Sequence, residues 1–533
     1  MNKKTATIAS IVLGMLVFVT ASTAIAETLN GSQINGEIYK ALGPGDTHYV
    51  GGSGPGNYSK IQDAIDNASA GDTVFVFDDS SPYDEKIFIN ETITLLGEGQ
   101  ETTIINYTGN SYGPVVSINA SDVELNGFTI MNYGVAAVRI TANNTVVTNI
   151  KIRPKINGWS GYGITLYRVQ NTHVFNTEIS RTFIAMQILD SSSNTIENNV
   201  INDSHDDGIY IFGSNNVVRN NVIIENNDEF TMPKGISLDG TGNIIANNTI
   251  TALMRNPLAG ISLWASTDNI IEGNILEKTG FECYKSEINV FRDNLVNGKP
   301  FVFLVGESNK VVDDAGQVIL VNCTDITVEH LMISYVNTGI KLAGTQNSII
   351  RNNSISDCWS GIILDSSLNN LITDNTLSKN AFGVVDSSGR SNVIEKNTIS
   401  DGNYYGISMS SSKGTIRKNL IQNCSIGVDI TLFRNTVEYN TIRSCSKGII
   451  LQGAFLNTIA HNNFMGNDED ASFYTIYVNR WAKNYWERPL LFPKIINGKL
   501  LLYENDWERG GYRIEIPWVN IDRHPALLPN DIS

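Results

Sequence analysis

One phrase returns six times between Asn347 and Phe464: an aliphatic residue, two residues, an asparagine, one residue, then an aliphatic or aromatic residue. It reads Ile350-Arg-Asn-Asn353-Ser-Ile355, Ile372-Thr-Asp-Asn375-Thr-Leu377, Ile394-Glu-Lys-Asn397-Thr-Ile399, Ile416-Arg-Lys-Asn419-Leu-Ile421, Val437-Glu-Tyr-Asn440-Thr-Ile442 and Ile459-Ala-His-Asn462-Asn-Phe464. The steps between asparagines are 22, 22, 22, 21 and 22 residues. Between them sit Gly361-Ile362, Gly383-Val384, Gly406-Ile407, Gly427-Val428 and Gly448-Ile449. A fixed period of this length restricts the chain to a stacked-repeat architecture.

The segments are short, rich in Ile and Val, and punctuated by Gly, Ser, Asn and Asp, so they read as strands and turns. An α-solenoid is excluded because the apolar spacing is not helical and Asn, Gly and Ser are poor helix formers. Three short strands per coil, stacked in parallel, make an all-β β-helix. Equivalent residues then stack about 4.8 Å apart. A column of asparagine amides can hydrogen-bond along such a stack, which explains a polar residue in an otherwise apolar phrase. The expected rungs are Asn199, Asn221, Asn248, Asn274, Asn353, Asn375, Asn397, Asn419, Asn440 and Asn462. Asn126 also fits the phrase, Asn149 and Asn176 fit it loosely, and the pattern stops after Asn462.

The ends differ from the middle. Lys3 and Lys4, the apolar run Ile8 to Val19 and the small-residue site Ala24-Ile25-Ala26 read as a signal peptide over residues 1–26. No later run is long enough to span a bilayer. Residues 27–50 form a polar lead-in, and 51–475 the β-helix, interrupted by an insertion at 297–318. Ser59-Lys-Ile-Gln62 matches a capping box that opens a helix with the apolar stripe Ile61, Ala64, Ile65 and Ala68. Such a helix would cap the open end of the stack. Residues 476–533 carry Trp481, Tyr485, Trp486, Trp507 and Trp518 among several prolines. They read as a C-terminal cap, with an aromatic sugar-binding patch as the alternative.

The formal net charge is −16, and −18 once residues 1–26 are removed with Lys3 and Lys4. That balance argues against nucleic acid as a partner, since a phosphate backbone requires a basic surface. Twelve Asn-x-Ser/Thr sequons follow the signal, among them Asn90, Asn106, Asn202 and Asn322. They are potential glycan acceptors in an exported chain, although an Asn-rich repeat also generates them by chance. Of the five cysteines, Cys358, Cys424 and Cys445 each stand five residues after a rung, so Cys424 and Cys445 fall on adjacent coils, facing inward. No Cys/His spacing points to zinc.

The Asn-x-Ile and Gly-Ile repeat is joined by the entry Ile61-Gln-Asp-Ala-Ile65 with Gly71-Asp-Thr-Val74, and by Asn297-Gly-Lys-Pro300 with Val318-Ile-Leu-Val321. Together these resemble the NosD-type right-handed parallel β-helix proteins, part of the wider group of β-helix domains in carbohydrate-binding proteins and sugar hydrolases. The resemblance covers roughly Tyr49 to Thr475 and looks like an archaeal cell-surface member. It implies an exported right-handed β-helix at the cell surface or in a periplasm-type space. The family name also implies copper delivery to a nitrous oxide reductase. The six histidines, His48, His173, His205, His330, His461 and His524, are scattered, and copper sites require clustered His, Cys or Met. The residues themselves therefore suggest no metal site and no cofactor. Asn484-Tyr-Trp486 is similar to a motif near the end of such proteins, without the acidic, Gly-rich stretch that often follows it.

Two functions are compatible with this scaffold, since one fold hosts many activities. The preferred one is a non-enzymatic envelope protein that binds polysaccharide or neighbouring surface proteins. The alternative is a lyase, hydrolase or epimerase acting on an acidic glycan, and a copper-site accessory role stands third. Equal offsets from the asparagine column gather a mixed-charge patch: Arg181, His205, Asp206, Asp207, Asp228, Glu229 and Arg255. Stacked carboxylates such as Asp207 and Glu229 repel, which suits one of them to general-acid work. Arg181 or Arg255 suits bidentate binding of a sugar carboxylate, and Trp159 and Trp264 suit a sugar face. The plain alternative is a solvated turn region of an acidic protein.

Overall fold

The computed structural model describes residues 45–109, 112–131, 134–153, 161–225, 234–253, 259–475, 479–503 and 513–532. The expected signal peptide and most of the lead-in lie outside the described residues. From Thr47 onward the chain is a parallel β-solenoid, with the helix Ile61–Asn67 near its start. A representative coil runs Ser360–Asp365, Leu371–Thr373 and Thr376–Ser378. Each strand pairs in register with its counterpart one coil on: Ile362 with Val384, Ile372 with Ile394, Leu377 with Ile399. Ile362, Leu364, Ile372 and Leu377 all point into the core and are buried. Each such side chain contributes about 1.5–3 kcal/mol.

Within each stack the asparagine column is continuous and directional. Asn353 donates both its backbone N–H and its Nδ2 to Oδ1 of Asn375, each at 3.0 Å, and Asn375 does the same to Asn397. Each Nδ2 also donates back to a carbonyl of the preceding coil, as Asn375 does to Ile350 at 2.8 Å. The amide is thus fully bonded in an apolar interior, where an unpaired one would cost about 1–3 kcal/mol. The residue before each rung turns the corner in the left-handed region, at φ 54° for Asn352 and 55° for Asp374. Asn and Asp tolerate that region better than other side chains.

The column differs from expectation at both ends. Asn126, Asn149 and Asn176 are not rungs: the first rung, Asn199, accepts from the backbone of Thr177, and Asn176 is the left-handed corner beside it. Nor does the column stop at Asn462, because Asn484 supplies another rung. A second column, unanticipated, stands five residues upstream of the first. It links Asn194, Asn216, Asn243, Asn269 and Asn289, then Asn370 with Asn392, and Asn435 with Asn457 and Asn479.

The stack is broken once, after Asn294. Asn297 and Gly298, at φ 51° and 77°, make the two-residue turn that needs positive φ at both positions. It folds Leu295–Val296 antiparallel onto Lys299–Pro300. Phe301–Val305 then pairs with Gln317–Val321, and coiling resumes. Gly280–Tyr284, the last strand of a nine-stranded sheet, comes to lie against this second stack. There the Gln317 amide accepts from Phe281 N at 2.7 Å and donates to Phe281 O at 2.9 Å, replacing a missing strand neighbour. The Phe281 ring stacks on Phe301 with centroids 4.1 Å apart.

Side-chain amides bond both backbone groups of one residue at two other places, the first of them the edge strand Ile87–Ile89. Near the start, Gln62 accepts from Phe88 N at 2.8 Å and donates to Phe88 O at 3.2 Å. Near the end, Asn463 accepts from Asn530 N and donates to Asn530 O, at 2.7 and 2.9 Å. The expected capping box does not form. The helix begins at Ile61 without a side-chain cap of its own, and the Glu85 carboxylate accepts from Ile61 N and Gln62 N. Gln62 is thereby free to bond Phe88. Beyond the last coil, Lys494–Tyr503 and Arg513–Asp522 form an antiparallel hairpin joined to the stack at Gly498 and Asp522. Trp481, Tyr485 and Trp486 are buried, Trp518 is half-exposed, and Trp507 lies outside the described residues.

Candidate functional site

The outer flank of the nine-stranded sheet combines acids, a lysine and exposed aromatic rings. Four strands build it: Asp207–Ser214, Lys234–Thr241, Ala259–Trp264 and Gly280–Tyr284. Strand alternation sends Ile209, Ile211, Ile236 and Leu238 inward. The same alternation aligns Tyr210, Ser237, Ser262 and Glu282 in one outward column. A parallel column carries Phe212, Asp239, Trp264 and Tyr284.

At one end of the flank Asp207 is only 8% exposed. Burial, and then the charge of Asp206, push its carboxyl up to about 7. Burial also raises Asp206, against the pull of Lys234 and His205. Asp207 therefore holds a proton near neutral pH beside a second acid, an arrangement suited to proton donation. Lys234 Nζ reaches across to Glu282 Oε2 at 3.9 Å, and Ser262 Oγ donates to the same oxygen at 3.1 Å. Burial raises the Tyr210 phenol, with smaller contributions from Asp239 and Asp207.

At the other end Trp264 and Tyr284 stack with centroids 4.2 Å apart and planes 24° apart. They are 56% and 40% exposed, and Phe212 is exposed two coils earlier. The solvent-facing parts of these stacked rings are apolar surfaces, with Lys285 Nζ 5.4 Å from the Tyr284 ring centroid. Tyr284 also lines a cleft of about 190 Å³ at the break between the stacks, together with Phe303, Ile319, Val321, Lys341 and Asp365. Lys341 Nζ donates to the Cys283 carbonyl at 3.1 Å on the wall of this cleft.

The residues singled out from the sequence fall in several places. Asp206, Asp207 and Trp264 lie on the flank. His205 stacks on Phe183, with centroids 5.6 Å apart, at the corner leading into it. Arg181 is at the same corner level as Asp203, 3.8 Å from its carboxylate, so its guanidinium is engaged there. Trp159, Asp228, Glu229 and Arg255 lie outside the described residues. Sequence reasoning missed Tyr210, Lys234, Ser262, Glu282 and Tyr284. Offsets counted forward from one asparagine column drift when an intervening loop changes length. Counting back from the second column aligns the stacked pair, because Trp264 and Tyr284 stand five residues before Asn269 and Asn289, whereas Phe212 and Asp239 stand four before Asn216 and Asn243.

Two overlapping matches, over residues 137–306 and 297–509, relate the chain to the family described as periplasmic copper-binding protein (NosD). A cell surface glycoprotein of Methanothermus fervidus is 33% identical over 163 residues, 30% of this chain and 27% of that protein's length. Among solved structures, the PL6 family alginate lyase AlyGC aligns over 80% of this chain and 97% of its own, at 10% identity and TM-score 0.35. A pectin methylesterase from Aspergillus niger aligns over 48% and 87%, at 17% identity and TM-score 0.31.

Proposed function

The chain belongs to the NosD family, and from that premise we propose that it is an exported cell-surface β-helix that binds polysaccharide along the outer flank of its nine-stranded sheet. The observation that carries this reading is the exposed Trp264–Tyr284 stack beside the Ser262–Glu282 hydrogen-bonding pair. Aromatic faces take the apolar side of a sugar ring, while fixed polar groups take its hydroxyls. The similarity to a cell surface glycoprotein supports the location. Among the described residues no helix is long and apolar enough to cross a membrane. A glycan array probed with the purified chain tests the reading. One class of polysaccharide should bind, and Trp264→Ala should weaken it roughly two- to twelvefold, since such an aromatic contact is worth about 0.5–1.5 kcal/mol. Absence of binding across an array that includes envelope polysaccharides would remove it.

A second reading, a lyase, hydrolase or epimerase on the same flank, is favoured by Asp207. A carboxyl protonated near pH 7 is what general-acid catalysis requires. The family description also implies copper. Among the described residues, no three His, Cys, Asp or Glu side chains gather as a metal-holding group. His48 is bonded to Asp72 and His173 to Glu197. These histidines do not fit a copper centre.

A further inference from the structure

We infer that the upstream part of the nine-stranded sheet carries a subsite for the carboxylate of an acidic sugar, built by Arg139, Thr165, Tyr167 and Gln187 on three adjacent coils. The subsite rests on the polysaccharide reading above and makes that polysaccharide a linear, uronate-bearing one. The outward column of Tyr210, Ser237, Ser262 and Glu282 continues upstream, in register, through Gln187 and Thr165 to Arg139. Ile164 and Leu166, on either side of Thr165, point into the core and are fully buried. Thr165 and Tyr167 therefore face outward from one strand.

Thr165 faces outward and yet is only 8% exposed, and its Oγ1 has no hydrogen-bond partner among the described residues. A recessed hydroxyl of this kind is costly unless something arrives to bond it. Gln187, opposite it on the next coil, is recessed to the same degree. Its amide can both donate and accept. Arg139, opposite Thr165 on the preceding coil, is exposed. A hydroxyl and an amide thus form a polar floor, with a guanidinium at its edge.

The charge at this place is unbalanced. Arg139 Cζ lies 5.4 Å from the centroid of the Tyr167 ring, and Arg168 Cζ lies 4.9 Å from the same centroid. Asp190 pairs with Arg168 at 3.4 Å, while among the described residues no carboxylate pairs with Arg139. Two guanidiniums gathered on one ring with one carboxylate leave a positive charge uncompensated, in a chain of net charge −16. The planar guanidinium matches a carboxylate through two parallel N–H···O bonds, and Thr165 Oγ1 and the Gln187 amide are then placed for the hydroxyls of the same sugar. From Thr165, four coil steps through Gln187, Tyr210 and Ser237 lead to Ser262, beside Trp264. At about 4.8 Å a step that is roughly 19 Å, so a linear polymer lying along the axis reaches both the charged subsite and the Trp264–Tyr284 stack.

The test is calorimetric titration of the full chain with linear polymers of galacturonate, mannuronate and glucuronate, each beside its carboxyl-reduced, neutral counterpart. At least one uronate polymer should bind, and its neutral counterpart should bind roughly tenfold more weakly. Arg139→Gln should remove that difference while leaving the affinity for the neutral polymer as it was, and Arg139→Lys should keep part of it. Arg139 is exposed and its strand pairs through backbone, so both substitutions leave the coil intact. Thr165→Val should weaken the charged and neutral polymers alike. Equal affinity for a uronate polymer and its reduced form, or a preference for the uronate that survives Arg139→Gln, would overturn the subsite. Neutral binding that responds to Trp264→Ala would in that case leave the polysaccharide reading standing. No binding by any of the polymers, charged or neutral, would remove the subsite together with that reading.

Discussion

Asn484 hands the asparagine column to Asp522. The Asn484 backbone N–H and its Nδ2 both donate to Asp522 Oδ2, at 3.0 and 3.1 Å. Trp486 Nε1 donates to the same oxygen, while Lys483 N and His524 N donate to Oδ1. All five neighbours are donors, and no coil follows to receive a donated hydrogen. A carboxylate, which only accepts, fits where an amide would turn its NH₂ toward other N–H groups.

Asp522→Asn should therefore destabilise the chain by about 1–3 kcal/mol despite its similar shape, and Asp522→Ala by more, since several buried donors lose their acceptor. The urea midpoint at constant m-value measures both. An unchanged midpoint for the asparagine variant would refute the donor-only environment.

Within the column, Asn397 donates through Nδ2 to Ile372 O, Glu395 O and Asn419 Oδ1. Asn397→Asp places a carboxylate oxygen against those three oxygens, so it should destabilise more than Asn397→Leu at neutral pH. The gap should narrow on acidification, as the carboxyl protonates. Thermal unfolding of the two variants at pH 4.5 and 7.5 decides the order.

Asp386 faces the interior, accepting from Ser411 Oγ at 2.6 Å and Asn392 Nδ2 at 3.0 Å. Burial nonetheless pushes it up to about 6. Its folded pKa lies above the unfolded one, so its contribution is fully present below about pH 4 and is lost as pH rises through 6. The loss is about 3 kcal/mol. Asp386→Asn should flatten that part of the profile. A wild-type minus variant difference that does not change between pH 4 and 7.5 would exclude the assignment.

Gln317→Glu should loosen the junction of the two stacks. The present Nε2 also donates to Asn337 Oδ1 and Thr338 O, at 3.1 and 2.9 Å, so a carboxylate keeps the bond from Phe281 N but sets its second oxygen against oxygens only. Hydrogen exchange at Phe281 N–H should accelerate while exchange in distant coils, such as at Ile394, stays as it was. Uniform acceleration would mean global destabilisation instead.

On the flank, Asp207→Asn leaves the strand pairing of Asp207 with Lys234 intact and removes the titrating proton. If the chain turns over a polysaccharide, this substitution should abolish turnover while Trp264→Ala mainly weakens binding. Equal turnover with and without Asp207 would leave the binding reading alone.

Repetition is what made the fold legible. The 22-residue phrase gives the parallel stack, the inward aliphatics and ten rungs before any coordinates, because each is repeated in the same chemical company. The second column was harder to read because Ser348 and Gly414 occupy its places on some coils. Junctions and ends occur once each. Gln317 meets Phe281 across 36 residues and Asn463 meets Asn530 across 67. Nothing periodic announces such pairs. The flank has the same difficulty: its acids and rings lie on consecutive strands joined by loops of unequal length.

The one-way donation along the asparagine columns bears on how such a chain changes length over generations. Every interior coil receives from the coil before and gives to the coil after, so any complete coil can stand between any two others. Duplication or deletion of one 22-residue unit between Asn353 and Asn462 would leave each remaining donor facing an acceptor. The places closed by Gln62, Gln317, Asn463 and Asp522 occur once each and fall outside that exchange. Reach along the axis is thus a property that inheritance can adjust in whole steps, without redesigning a core.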